Sequence, residues 1–138
     1  MDDLEIAKQR LKDKNLNMVF VKNFRPIFET KTEGLHGFLQ AIKQLDGNLS
    51  GASVADKIIG KAAALLCAYS NVAAAFTVTL SKSGLEILKT YDIRCEFENL
   101  VPTILNVKKT DKCPLEKLVA NITNSEEAYE KISRFCCL

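Results

Sequence analysis

Apolar residues fall at helical intervals near the start of the chain. In "DDLEIAKQRLKDKN" Leu4, Ala7 and Leu11 share one face and acids fill the first turn, where a helix dipole favours them. This predicts a helix over about Asp3 to Lys14. The pattern then changes to short β-branched and aromatic runs, "NMVFVKN" and "PIFETK", parted by Asn23, Phe24 and Arg25. They read as a hairpin, and the missing glycine argues for a loop looser than two residues. "GLHGFLQAIKQLDG" returns to helical spacing through Leu35, Phe38, Leu39, Ile42 and Leu45, with Gly47 as its stop.

After the small, polar linker "NLSGAS", the stretch "SVADKIIGKAAALLC" reads as a third helix from Ser53 to Cys67. Val54, Ile58, Ile59, Ala62, Leu65 and Leu66 cover most of its circumference. "VAAAFTVTL" is nearly continuous in apolar residues and too short for a core helix, so it reads as a buried strand. "SKSGLEILKTYD" follows as a helix. "IRCEFEN" alternates Ile93, Cys95 and Phe97 against charged residues, as a half-exposed strand near a sheet edge does. "LVPTILNVKKTDK" reads as a loop, "CPLEKLVANI" as a short helix with Pro114 in its first turn, and "SEEAYEKISRF" as a closing helix capped by Ser125. Strand–helix–strand order late in the chain implies a parallel crossover and a mixed sheet covered by helices, an α/β/α sandwich of three layers.

Within the third segment, Lys57, Gly60 and Lys61 form a stripe that helix stability does not explain. Like charges four residues apart and cations near a helix start each cost from a few tenths to about 1 kcal/mol, and Gly60 costs about 1 kcal/mol relative to alanine. A phosphate or carboxylate shared by both lysines and the helix start would remove the conflict. The competing reading makes the lysines snorkelling edge residues and Gly60 a packing contact. Ser53 and Asp56 have the spacing of a capping box, which gives Asp56 a structural role beside its candidate role in a site. Crowding would also lower a lysine's pKa and suit Lys57 or Lys61 to attack a carbonyl.

Composition narrows the function classes. The chain has 138 residues, 47% hydrophobic and 26% charged, which suits one soluble domain. Its net charge of +2 gives no field for holding nucleic acid, so none is expected as a partner. "MDDLEIAKQR" lacks the pattern of a signal peptide and no apolar run is long enough to span a bilayer; the expectation is a cytoplasmic protein without a membrane partner. Five cysteines without CxxC spacing fit reduced thiols, with Cys67 and Cys95 on apolar faces and Cys136 and Cys137 ending the last helix.

"GASVADKIIGKAAALLC", "LSKSGLEILKTYDI" and "LVPTIL" through "CPLEKLV" resemble an uncharacterised bacterial and archaeal family, a domain of unknown function with a fold similar to cytidine deaminases. The resemblance runs from about Leu4 to Phe135 and implies one cytidine-deaminase-like domain over 1–138. Zinc deaminases place His or Cys, then Ala-Glu, at the start of one helix and Pro-Cys-x-x-Cys at the start of the next. Here the first position reads Asp56, Lys57, Gly60 and Lys61, and the second reads Ser81, Lys82, Ser83 and Gly84. Zinc needs thiolate and imidazole ligands that these positions do not offer, and His36 lies in another helix, so no metal or cofactor is expected.

The resemblance brings Ser81 and Ser83 to the same cleft as Asp56, Lys57 and Lys61, and adds Cys113, Glu116 and Asn106 as cleft-lining groups. The leading expectation is a zinc-independent binder of a nucleotide or sugar phosphate, with catalysis left open. The alternative is a noncatalytic deaminase-fold module that binds protein partners, including a second copy of itself. A zinc enzyme with unusual ligands is the third reading.

Overall fold

The computed structural model describes residues 1–136; Cys137, assigned above to the end of the last helix, lies outside them. Helix α1 (Asp3–Asp13) leads into β1 (Met18–Lys22) and β2 (Arg25–Thr30), then α2 (His36–Leu45). A 3-10 turn (Asp46–Leu49) precedes β3 (Ser53–Ile59), α3 (Lys61–Tyr69), β4 (Ala74–Ser81), α4 (Lys82–Thr90) and β5 (Arg94–Val101). Helices α5 (Pro114–Leu118) and α6 (Ser125–Phe135) complete the order. The strands form one sheet in the order β2-β1-β3-β4-β5. β1 is antiparallel to β2 and β3, whereas β3, β4 and β5 are parallel.

This is the three-layer mixed α/β sandwich expected from the sequence. Leu4, Ala7 and Leu11 of α1 pack on Val19, Val21, Ala55, Ala74 and Phe76, and so cover one face. The other face carries α2, α3, α4 and α6 over the larger apolar core. Two parallel crossovers step in the same direction across the sheet, which lays α3 and α4 side by side. Tyr69 of α3 and Tyr129 of α6 stack with centroids 4.1 Å apart and tie the last helix to this layer.

β5 is the edge strand anticipated from its alternation. Lys12 of α1 pairs with Glu98 on it, and Lys8 lies 4.0 Å from Glu96. Charges of this kind blunt an edge that would otherwise recruit another strand.

The largest correction concerns Ser53 to Cys67. Residues Ser53–Ile59 are a central strand between β1 and β4, and the helix begins only at Lys61. A run that is apolar on every side fits a strand buried on both faces as well as it fits a buried helix. Gly60, extended at φ −99° and ψ −167°, is the break. Ser53 and Asp56 therefore form no capping box, and Lys57 and Lys61 share no helix face.

Two smaller expectations also change. The hairpin turn is tight: Lys22 pairs with Arg25, and Asn23 and Phe24 both take positive φ, 54° and 66°. The Asp3 carboxylate accepts both of their backbone N–H groups, at 3.1 and 2.7 Å, and holds a conformation that glycine would otherwise supply. At α6 the cap is Asn124, whose Oδ1 accepts from the Glu127 amide at 2.9 Å; Ser125 is already the first helical residue.

Candidate small-molecule site

A cavity of about 430 Å³ opens at the carboxyl end of β3, where the chain turns into α3. That size and place suit a ligand site of an α/β sheet. Its floor is the end of β3, from Asp56 to Ile58, together with Met18 of β1. Gly60, Ala62 and Ala63 form one side, Thr32 to Leu35 another, and Ile104, Leu105, Val107, Cys113, Leu115 and Glu116 the last. The walls are mainly aliphatic.

Asp56 is the most perturbed polar group in this cavity. Its register partners are Met18 on β1 and Thr77 on β4, so the strand holds it in the middle of the sheet. Only 9% of its surface is exposed. Burial raises its carboxyl pKa to about 7, against the partial relief of the Ile58 and Lys57 backbone amides. Near neutral pH it therefore exists in both protonation states, able to donate or accept. Burial also pushes the Cys67 thiol of α3 up, and the Asp56 charge adds to that effect. Cys67 is a core residue, as its apolar setting in the sequence suggested.

The start of α3 is occupied by the protein's own carboxylate. Glu116 Oε1 accepts from the Lys61 amide at 2.7 Å and Oε2 from the Ala62 amide at 2.9 Å. These charge-assisted bonds satisfy two of the free donors of a helix N-terminus and place negative charge where the dipole favours it. Glycine at position 60 is required by this contact, because a Cβ would overlap the Glu116 carboxylate. Gly84 at the start of α4 is also closely packed: a Cβ there would lie 3.1 Å from the Gly60 backbone. The starts of α3 and α4 thus meet, as the deaminase resemblance implied.

The remaining candidate residues are placed as follows. Lys57 extends to the α1 side of the sheet, opposite Asp56, and its Nζ donates to Asn15 Oδ1 at 3.0 Å. Lys61 Nζ donates to the Ala120 carbonyl at 2.8 Å and Lys61 is not part of the cavity wall. Ser81 Oγ caps α4 by accepting from Gly84 N at 3.0 Å, and Ser83 Oγ lies 3.2 Å from it. Asn106 orders its own loop, with Oδ1 accepting from Thr110 N at 3.0 Å. Of the eight candidates, Asp56, Lys57, Cys113 and Glu116 line the cavity, and Lys61, Ser81, Ser83 and Asn106 lie outside it. Sequence reasoning missed the aliphatic wall and the Thr32–Leu35 loop. The signal for that loop was "TEGL", whose Gly34 takes φ +75°.

Among the described residues, no group of three or more His, Cys, Asp or Glu could hold a metal ion. No helix among them is long and apolar enough to cross a membrane.

The sheet order, the paired helix starts and the cavity at the strand ends describe an α/β sandwich whose fold is cytidine-deaminase-like. The chain belongs to the TM1506 family, a domain of unknown function (DUF1893), whose model matches residues 6–136. It is similar to the crystal structure of a DUF1893 family protein (TM1506) from Thermotoga maritima, at 28% identity and a TM-score of 0.89. That match covers 96% of this chain and 89% of the other. Two forms of RibD from Acinetobacter baumannii share the fold, at 21% and 20% identity and TM-scores of 0.51; each match covers 70% of this chain and 33% of RibD. No curated protein matches the chain.

Proposed function

We propose that the protein is a zinc-independent small-molecule-binding protein whose ligand is a nucleoside or nucleotide, seated with its ring in the aliphatic cavity over Asp56. The observation that carries this reading is Asp56 itself: a carboxyl with 9% exposure at the floor of a cavity of about 430 Å³. Burying such a group costs stability unless something uses it, and a ring bearing donors and acceptors would complete its hydrogen bonding. A phosphate would project past the rim toward solvent.

The two lysines do not converge on one anion, since Lys57 and Lys61 are held by Asn15 and the Ala120 carbonyl. Glu116 already fills the start of α3. Binding therefore depends on the cavity floor rather than on a lysine clamp. The donor set at the α3–α4 junction, one carboxylate and two serines, also suits zinc poorly.

Thermal shift against a panel of nucleosides and nucleotides checks the reading. At 100 times its Kd a ligand adds about 2.7 kcal/mol, which moves the melting temperature of a domain this size by several degrees. The expected result is a shift for at least one compound that Asp56→Asn abolishes and Lys61→Ala retains. No shift with any compound, or an undiminished shift in Asp56→Asn, rejects it.

A further inference from the structure

We propose that residues 102–118 form a strap over the cavity, latched by Glu116 to the start of α3, so that ligand entry requires Glu116 to let go. The inference rests on the cavity being the binding site. The segment leaves the sheet after Val101 and supplies one whole wall, from Ile104 to Glu116. Its regular structure amounts to an isolated bridge between Leu105 and Lys112 and the five-residue α5. Its far end is fixed, because Val119 and Ile122 are buried in the main core and Lys61 Nζ holds the Ala120 carbonyl.

Between those ends, Glu116 makes two hydrogen bonds from the strap to α3. Its other polar contacts are internal or run to its fixed end, where the Val119 and Ala120 amides donate to the Leu115 and Lys117 carbonyls. Cys113 N donates to the Ile104 carbonyl at 3.0 Å, Asn106 N to the Asp111 carbonyl at 2.9 Å, and Thr110 N to Asn106 Oδ1 at 3.0 Å. Opening leaves these bonds intact, so the segment moves as a unit. Once open, water can solvate the carboxylate and both α3 amides, which lowers the cost of release below that of global unfolding. Leu115 and Leu118, only partly buried against the core, add an apolar closing force without locking the strap.

Native-state amide exchange on the ligand-free protein tests this independently of nucleotide binding. The Lys61 and Ala62 amides, whose acceptor leaves when the strap opens, should exchange together. They should do so at least tenfold faster than the Ala64 amide, which donates to the Gly60 carbonyl. In Glu116→Gln, which loses the charge and one acceptor, these two amides should accelerate at least fivefold while Ala64 is unchanged. Iodoacetamide should also label Cys113 at least fivefold faster in that variant, with Cys95 as the internal reference. Exchange of Lys61 and Ala62 only at the rate of the core overturns the proposal in the wild-type protein, whether or not the variant folds. A Glu116→Gln variant that is merely less stable, with Ala64 accelerated as much as Lys61 and Ala62, overturns it too. Failure of every nucleotide to bind would remove the Asp56 reading without altering any of these rates.

Discussion

Asp56 and Glu116 are buried almost equally, at 9% and 7% exposure, and line the same cavity, yet their surroundings are opposite. Glu116 meets the two donors of a helix start, so its charge is compensated and its role is to hold the wall in place. Asp56 has only the partial relief of the Ile58 and Lys57 backbone amides between mainly aliphatic walls, and burial drives its pKa to about 7. Equal burial thus yields one structural carboxylate and one poised for a ligand, because a helix start supplies better donors to a charge than the local strand amides do.

The strongest way to break this comparison is through pH. Asp56 ionises near pH 4 in the unfolded chain and near pH 7 in the folded one. Below pH 4 both states hold the proton. As pH rises to 7, folding must retain a proton that the unfolded chain has released, so stability falls. The loss is complete above the folded value. A displacement of this size corresponds to up to roughly 4 kcal/mol. Urea unfolding between pH 4 and 8 should show this slope in wild type and a flattened one in Asp56→Asn. Parallel curves would mean that burial does not perturb the Asp56 carboxyl.

Removing Glu116 has a smaller effect. Glu116→Ala leaves the Lys61 and Ala62 amides without their acceptor and should cost about 1 to 3 kcal/mol, read as a lower urea midpoint. An unchanged midpoint would show that water replaces the carboxylate freely.

Much of the fold was legible in the sequence. The period of α1, α2, α4 and α6, the alternation in β5 and the apolar run of β4 each report one face or two, and the face count fixes the element type. The failure at β3 has the same cause: "SVADKII" is buried on both sheet faces, so it carries no period of two, and it abuts the equally apolar α3 without a polar break. Gly60 is the break, although in the sequence it reads as part of a Lys57–Gly60–Lys61 helix stripe. The site was legible in part. Asp56, Lys57, Cys113 and Glu116 were named, but their relation depends on a contact between residues 61 and 116, a separation across which no local spacing carries information. At the actual start of α3 the Glu116 carboxylate accepts backbone amides, whereas the ammonium groups of Lys57 and Lys61 bond elsewhere.

The most direct test of the account is amide chemical-shift mapping with the nucleoside or nucleotide that gives the largest thermal shift. The account predicts perturbations centred on Asp56, Lys57, Ile58, Ala63 and Leu105, all weakened in Asp56→Asn. Perturbations centred instead on Ser81, Ser83 and Gly84, and unaffected by Asp56→Asn, would contradict it and return the site to the α3–α4 junction.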